Sequence, residues 1–169
     1  MLKIIEELSP FFEECYRRIN VREYAKLMSI SPPTASKVLD SYYSENLLLK
    51  EKFRNYIMFY ANKDSKQFTD LSRMYWGIKL KEFVDIMEKS LAAPTIVLFG
   101  SLSKAETKAD SDIDIAIFAH KKNLNIESFE KKLKRKIEIF WFSSIKDIKN
   151  RELANNIING YTLKGHLQL

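Results

Sequence analysis

The stretch that most constrains this chain is TIVLFGSLSKAETKADSDIDIAIF, Thr95 to Phe118. An apolar run ends in Gly100-Ser101, a polar segment follows, and Asp112-Ile113-Asp114 opens a second apolar run. The pattern predicts a strand, a small-residue turn, a short polar helix and a second strand. Side chains two apart on a strand share a face. Asp112 and Asp114 therefore project together, while Ile113, Ile115 and Ile117 line the opposite, buried face. Neighbouring carboxylates repel unless a cation lies between them. Hard oxygen donors paired in this way suit Mg²⁺, which keeps several waters and completes its shell with substrate phosphates. A Gly-Ser turn opening a helix offers backbone N–H groups and a hydroxyl to a phosphate. The two halves describe a site for a metal-bound nucleoside triphosphate; the alternative for the acids is a turn or helix-capping pair.

The stretch resembles the nucleotidyltransferase superfamily that includes DNA polymerase β, kanamycin nucleotidyltransferase and the small minimal nucleotidyltransferases. The shared motif is apolar-Gly-Ser, a spacer, then Asp-x-Asp with apolar neighbours, and Gly100, Ser101, Asp112 and Asp114 match it, with Ser111 completing Ser-Asp-x-Asp. Minimal members often carry Arg-Gly shortly after the Gly-Ser. Here Lys104-Ala105 stands there, so Lys104 is expected to face phosphate and Ala105 to give up backbone freedom. The family also uses a third carboxylate on a later strand. Its candidate is Glu138, the acidic residue in the apolar run Ile137 to Phe142. Alternation puts Glu138, Phe140 and Phe142 on one face; the alternative is a solvent-facing Glu on an edge strand. The resemblance implies an Mg²⁺-dependent enzyme that moves a nucleoside monophosphate from an NTP, ATP first, to an acceptor hydroxyl. Asp112, Asp114 and Glu138 would hold metal, and Gly100, Ser101 and Lys104 would bind nucleotide. Three acceptor classes stay open: a partner protein, which is favoured, a small-molecule hydroxyl and an RNA 3′ end.

The chain has 169 residues, 46% hydrophobic and 30% charged, ordinary for a globular protein. Four Gly and four Pro leave little room for linkers. No apolar run approaches the roughly 20 residues of a membrane span, and the acidic N-terminus is unlike a signal peptide. A single cysteine, Cys15, excludes an intramolecular disulfide, and a reducing cytoplasm follows as the expected location. The periodicity expects Cys15 on helix from Leu2 to about Asn20, with Ser9-Pro10 as a point of break or restart. The net charge of +6 favours a polyanionic partner without requiring one. The lysine-rich Lys131 to Lys136 is expected on the exposed face of a helix before the Glu138 strand.

The N-terminal third predicts a helix Val21–Met28 capped by Asn20, then a tight turn, then a helix from Pro32 to about Ser44 capped by Ser31. Two β-type runs follow, 47–52 and 56–60, around Phe53-Arg54-Asn55. This order resembles winged helix-turn-helix DNA-binding domains. The resemblance places Thr34, Ser36 and Lys37 on the second helix and Arg54 at the wing tip, with Lys37 and Arg54 the best-placed cations for DNA. The alternative use of such a domain is protein contact or homodimerisation. The resulting expectation is an α+β chain: a winged helix-turn-helix domain at 1–64, a linker helix at 65–93 with Gly77 as a kink or break, and a nucleotidyltransferase domain at 94–169. The last would hold a short mixed sheet flanked by helices, with helices at 126–136 and 146–158 and a final strand from Tyr161 to Leu169. The rival from another class is a DNA-binding regulator whose second half senses nucleotide without turnover.

Overall fold

The computed structural model describes residues 2–167. Contacts divide the chain into two compact units. One holds the residues up to Ser72 together with Ala105–Ala109; the other holds Arg73–Lys104 and the residues from Asp110 onward. Residues 65–93 contribute to both units.

The first unit opens with two short helices, α1 (Lys3–Glu7) and α2 (Ser9–Glu13). Pro10 lacks an N–H and crowds the preceding turn, and the break expected at Ser9-Pro10 falls at Leu8. Helix α2 ends at Glu13, short of the expected Asn20, so Cys15 is not helical. It is buried in a turn, and its N–H donates to the Thr107 carbonyl at 2.8 Å. Strand β1 (Ile19–Asn20) leads into α3 (Val21–Met28), where Asn20 Oδ1 accepts the Glu23 N–H at 3.0 Å. Ser29 takes the left-handed conformation that ends α3. Helix α4 (Pro32–Ser44) starts on Ser31, whose Oγ accepts the Thr34 N–H, and Pro32 loses nothing at the first helical position. Strands β2 (Leu48–Phe53) and β3 (Tyr56–Ala61) close on a two-residue turn, with Phe53 opposite Tyr56 and Arg54 at positive φ. The sheet order is β1-β3-β2, all antiparallel. Ile5, Leu8, Phe11, Phe12, Tyr24, Leu39, Phe59 and Phe68 fill the core beneath it. Glu7 ties the layers together: its carbonyl accepts the Tyr24 hydroxyl at 2.8 Å and its carboxylate accepts the Tyr42 hydroxyl.

Helix α5 (Lys66–Lys79) spans the division between the units. It runs through Gly77, and the break expected there lies at Leu80, before α6 (Lys81–Ser90). Gly77 serves space instead: a Cβ on it would stand 3.2 Å from the Tyr161 ring. Then come β4 (Thr95–Phe99), α7 (Gly100–Ser103), β5 (Ile113–Phe118), α8 (Glu127–Leu133) and β6 (Ile137–Phe142). A short 3-10 turn (Ile145–Asp147), α9 (Arg151–Ile158) and β7 (Tyr161–Lys164) follow. The expected helix over 146–158 is divided because Ser144 and Asp147 form a closed capping box around the 3-10 turn, and Asn150 caps a fresh start at Arg151. The final strand ends at Lys164, and positions 168–169 of its expected range lie outside the described residues.

The second sheet runs β6-β5-β4-β7, with β4 antiparallel to β5 and β7, and β5 parallel to β6 across the α8 crossover. It is a mixed sheet with both faces buried. Ile96, Leu98, Ile113, Ile115 and Ile117 are fully buried on one face. On the other, Val97, Phe99 and Ala116 form a cluster with Ile148 and Ile157, and Phe118, Phe140 and Phe142 pack against it. No helix among the described residues is long and apolar enough to cross a membrane.

Gly160 sits in a close seam between the end of α9 and this sheet. A Cβ there would stand 2.6 Å from the Leu98 carbonyl oxygen and 2.8 Å from Val97 Cγ1. Backbone cannot give way as a flexible side chain can. Gly160→Ala is therefore expected to lower unfolding stability by about 1–3 kcal/mol, read as a lower urea midpoint with an unchanged m-value.

Candidate active site

The site grows from the end of β4. Gly100, at φ +69, turns the chain from strand into α7. A β-carbon there would stand 2.1 Å from Asp114 Oδ2. Only a glycine lets the carboxylate lie over this turn. Ladder register explains the approach: Phe99, just before the turn, pairs with Asp114, and Asp114 pairs with Glu138 on the parallel neighbour. Alternation then sends Ala116, Phe118, Phe140 and Phe142 into the α9-covered core and leaves Asp114 and Glu138 at the open end of the same face. Asp112 sits one residue ahead of β5, exposed like Glu138, while Asp114 is half-buried.

These acids feel one another. Burial first, then the charges of Glu138 and Asp112, push the Asp114 carboxyl from its ordinary 3.8 up to about 6. Among the described residues, no three His, Cys, Asp or Glu side chains form a group that could hold a metal ion on their own. The fit to a divalent cation rests on the donors and their strain: hard oxygens that repel one another, beside a cradle that a single Cβ would fill. Mg²⁺ takes few protein ligands and draws the rest from water and phosphate, so such an open set is compatible with it.

The turn is braced from several sides. Ser103 Oγ donates to the Gly100 carbonyl at 3.0 Å. Arg73, from α5, donates through Nε to the Ser103 carbonyl at 2.7 Å and through Nη2 to the Asn159 carbonyl at 3.4 Å, so one guanidinium serves the carbonyl ends of α7 and α9. Ser101 stands half-buried on α7. Lys104, expected to face phosphate, donates instead to Asn156 Oδ1 on α9 at 2.8 Å. Ala105 is buried at φ +56, the left-handed conformation that glycine adopts without strain. The basic run is also not one exposed helical face. Helix α8 stops at Leu133, Lys134 takes φ +55, and Arg135 turns to donate to the Ser111 carbonyl at 2.7 Å. Arg73 and Arg135 carry no local motif, and only contacts remote in sequence identify them.

In the first unit Lys37 is exposed on α4 and Arg54 at the hairpin tip, the latter 5.4 Å from the Phe53 ring centroid. Phe53, Tyr56 and Ile57 are exposed beside it. In the second unit a cavity of about 360 Å³ lies against Met74, Ile78, Val84, Tyr161 and Leu163, and none of the three acids lines it.

A family model described as "Polymerase beta, Nucleotidyltransferase" matches residues 79–164. The chain belongs to this family. The match takes in β4, the Gly100 turn, β5, β6 and β7, and so every acid of the site. No curated protein and no solved structure matches the chain. Nucleotidyltransferase membership thus covers most of the second unit, and residues 1–78 stand outside it.

The strain at Asp114 has a stability consequence in the metal-free nucleotidyltransferase. A carboxyl whose folded pKa is raised holds its proton in the folded state after the unfolded chain has released it. Its stabilising share is complete below about pH 4 and is lost as pH rises through about 6. Asp114→Asn cannot ionise. It is expected to melt above the parent at pH 7.5, by about 1–2 kcal/mol once solvent screening is allowed for. The advantage should vanish near pH 4. Thermal melts of both proteins in chelator across pH 4–8 check this, and a pH-independent difference would contradict it.

Proposed function

We propose that the protein is a metal-dependent nucleotidyltransferase that moves a nucleoside monophosphate from an NTP, ATP first, to an acceptor hydroxyl. One observation carries the reading: within the matched region, strand register aligns Asp114 with Glu138 and lays Asp114 over the Gly100 turn, with Asp112 close enough to raise its pKa. Asp112 and Asp114 are the residues that would hold Mg²⁺ for the triphosphate, and Glu138 would share with them a second ion that serves the acceptor. Bound there, the first would supply the positive charge that the triphosphate and the acids both need, and the second would ease ionisation of the acceptor hydroxyl. Gly100 and Ser101 would present the turn to the β- and γ-phosphates, and their fixed geometry spares ordering cost at binding. Glu138 would take the acceptor proton. Lys104 is assigned to nucleotide more weakly, since reaching a phosphate requires it to leave Asn156. The acceptor favoured is a partner protein, with a small-molecule hydroxyl and an RNA 3′ end as the other classes.

A second reading is favoured by the first unit. Its helix, turn, helix and antiparallel hairpin, with Lys37 and Arg54 exposed, support a winged-helix DNA-binding role. The protein would then be a regulator whose nucleotidyltransferase half senses nucleotide without turnover.

Two experiments separate these. Calorimetry with ATP should show binding that requires Mg²⁺, lost in Asp112→Asn and in Asp114→Asn. Glu138→Gln should keep affinity within a few-fold yet reduce transfer by roughly 10²-fold or more, as loss of a general base does. Unchanged metal-dependent affinity in an Asp112→Asn/Asp114→Asn double variant would refute the site. For the second reading, Lys37→Ala with Arg54→Ala should weaken DNA binding about equally across sequences. It should also lower the slope of log K against log salt by about one to two. No binding by the parent at low salt would remove the DNA role.

A further inference from the structure

Asp112 precedes the first residue of β5, where the regular ladder has not begun, yet its backbone is held on both sides. After it, the Ile113 N–H donates to the Lys136 carbonyl at 2.8 Å. Before it, the Ser111 carbonyl accepts Arg135 Nη1 at 2.7 Å. Both partners come from the single turn between α8 and β6. That turn is itself built: Lys134 takes the left-handed conformation at φ +55, and Glu130 holds the exit twice. The Glu130 carbonyl accepts the Arg135 N–H at 3.3 Å, and its carboxylate accepts the Ile137 N–H at 2.9 Å. The guanidinium lies 5.4 Å from the ring centroid of Trp76, a fully buried side chain of α5. A planar guanidinium can stack on an indole and donate in its own plane at the same time; an ammonium cannot.

We propose that Arg135 is a positioning residue that fixes the Asp112 carboxylate at the acidic end of the sheet before ligand arrives. The functional half of this role rests on the reading of Asp112 as a ligand for a metal-bound nucleotide. A carboxylate on a loose strand entry must be ordered at the moment of binding, which weakens binding; a braced one is already in place. Arg135 touches the backbone next to the acid, so it works through Asp112. Its place in a run of lysines hides it in the sequence, where the same residue reads as one more solvated cation.

The test uses Arg135→Met, which keeps an apolar stem over Trp76 without a donor, and Arg135→Lys, which restores a donor without the planar fork. Ile157→Val, a core change on α9, serves as a control for general destabilisation. Hydrogen exchange at the Ile113 amide, in metal-free protein, should speed up at least tenfold in Arg135→Met, less in Arg135→Lys, and not in the control. The dissociation constant for Mg²⁺-ATP should rise at least tenfold in Arg135→Met, with partial recovery in Arg135→Lys and little change in the control. Exchange at Ile113 equal to the parent's overturns the brace, whatever the nucleotide result. Faster exchange with unchanged affinity overturns the ligand-positioning role. A parent protein that exchanges as described yet binds no Mg²⁺-ATP overturns the nucleotidyl-transfer reading, and the ligand-positioning role with it, while the brace itself stands.

Discussion

The register of β5 governs the rest of the second unit. Ile113, Ile115 and Ile117 must be buried, and a slip by one residue would expose all three and bury the acids. With that register set, Asp114 faces Phe99 on one side and Glu138 on the other. Asp114 and Glu138 then stand paired at one end of the sheet, with Asp112 just ahead of the strand. The cost is mutual repulsion, which shows in the raised carboxyl of Asp114. A fold selected for stability alone would be free to place an amide there. Acids at so strained a place are the physical reason to read the end of the sheet as a candidate functional site.

The glycine turn belongs to the same constraint. Asp114 can lie against the β4–α7 turn only because Gly100 has no side chain, and α7 is held in place by bonds to its own carbonyls. Ala105 shows the opposite situation. It takes a left-handed conformation with a side chain present, and it begins the Ala105–Ala109 segment that belongs to the first unit. That segment holds the Thr107 carbonyl, which receives the Cys15 N–H. The polar spacer between Ser101 and Asp112 is therefore more than a tether of suitable length.

Much of the candidate site is legible from local pattern because its signals are local. Gly100, the alternation around Asp112 and Asp114, and the lone acid Glu138 each follow from spacing of two or from a turn that needs a small residue. The caps at Asn20 and Ser31 were legible for the same reason. What escaped depends on partners far along the chain. Arg73 reaches residues 103 and 159, Lys104 reaches Asn156, and Arg135 reaches Ser111 and Trp76. The misplaced breaks have a common cause too. Propensity and periodicity see neither that Gly77 makes room for Tyr161 nor that α2 ends at Glu13, where the Cys15 N–H goes to Thr107. Likewise, Ser144 starts a 3-10 turn that closes on Asp147 before a longer helix can form.

The central claim is that the acidic end of the sheet transfers a nucleotidyl group. Its most direct test follows the phosphorus atoms of the NTP itself. Protein with Mg²⁺ and a lysate as acceptor source is given ATP labelled at the α-phosphate or, in parallel, at the γ-phosphate. The account predicts covalent α-label on an acceptor, with the γ-label released as pyrophosphate. Transfer of the γ-label, or release of phosphate with no α-label retained by any acceptor, would contradict it.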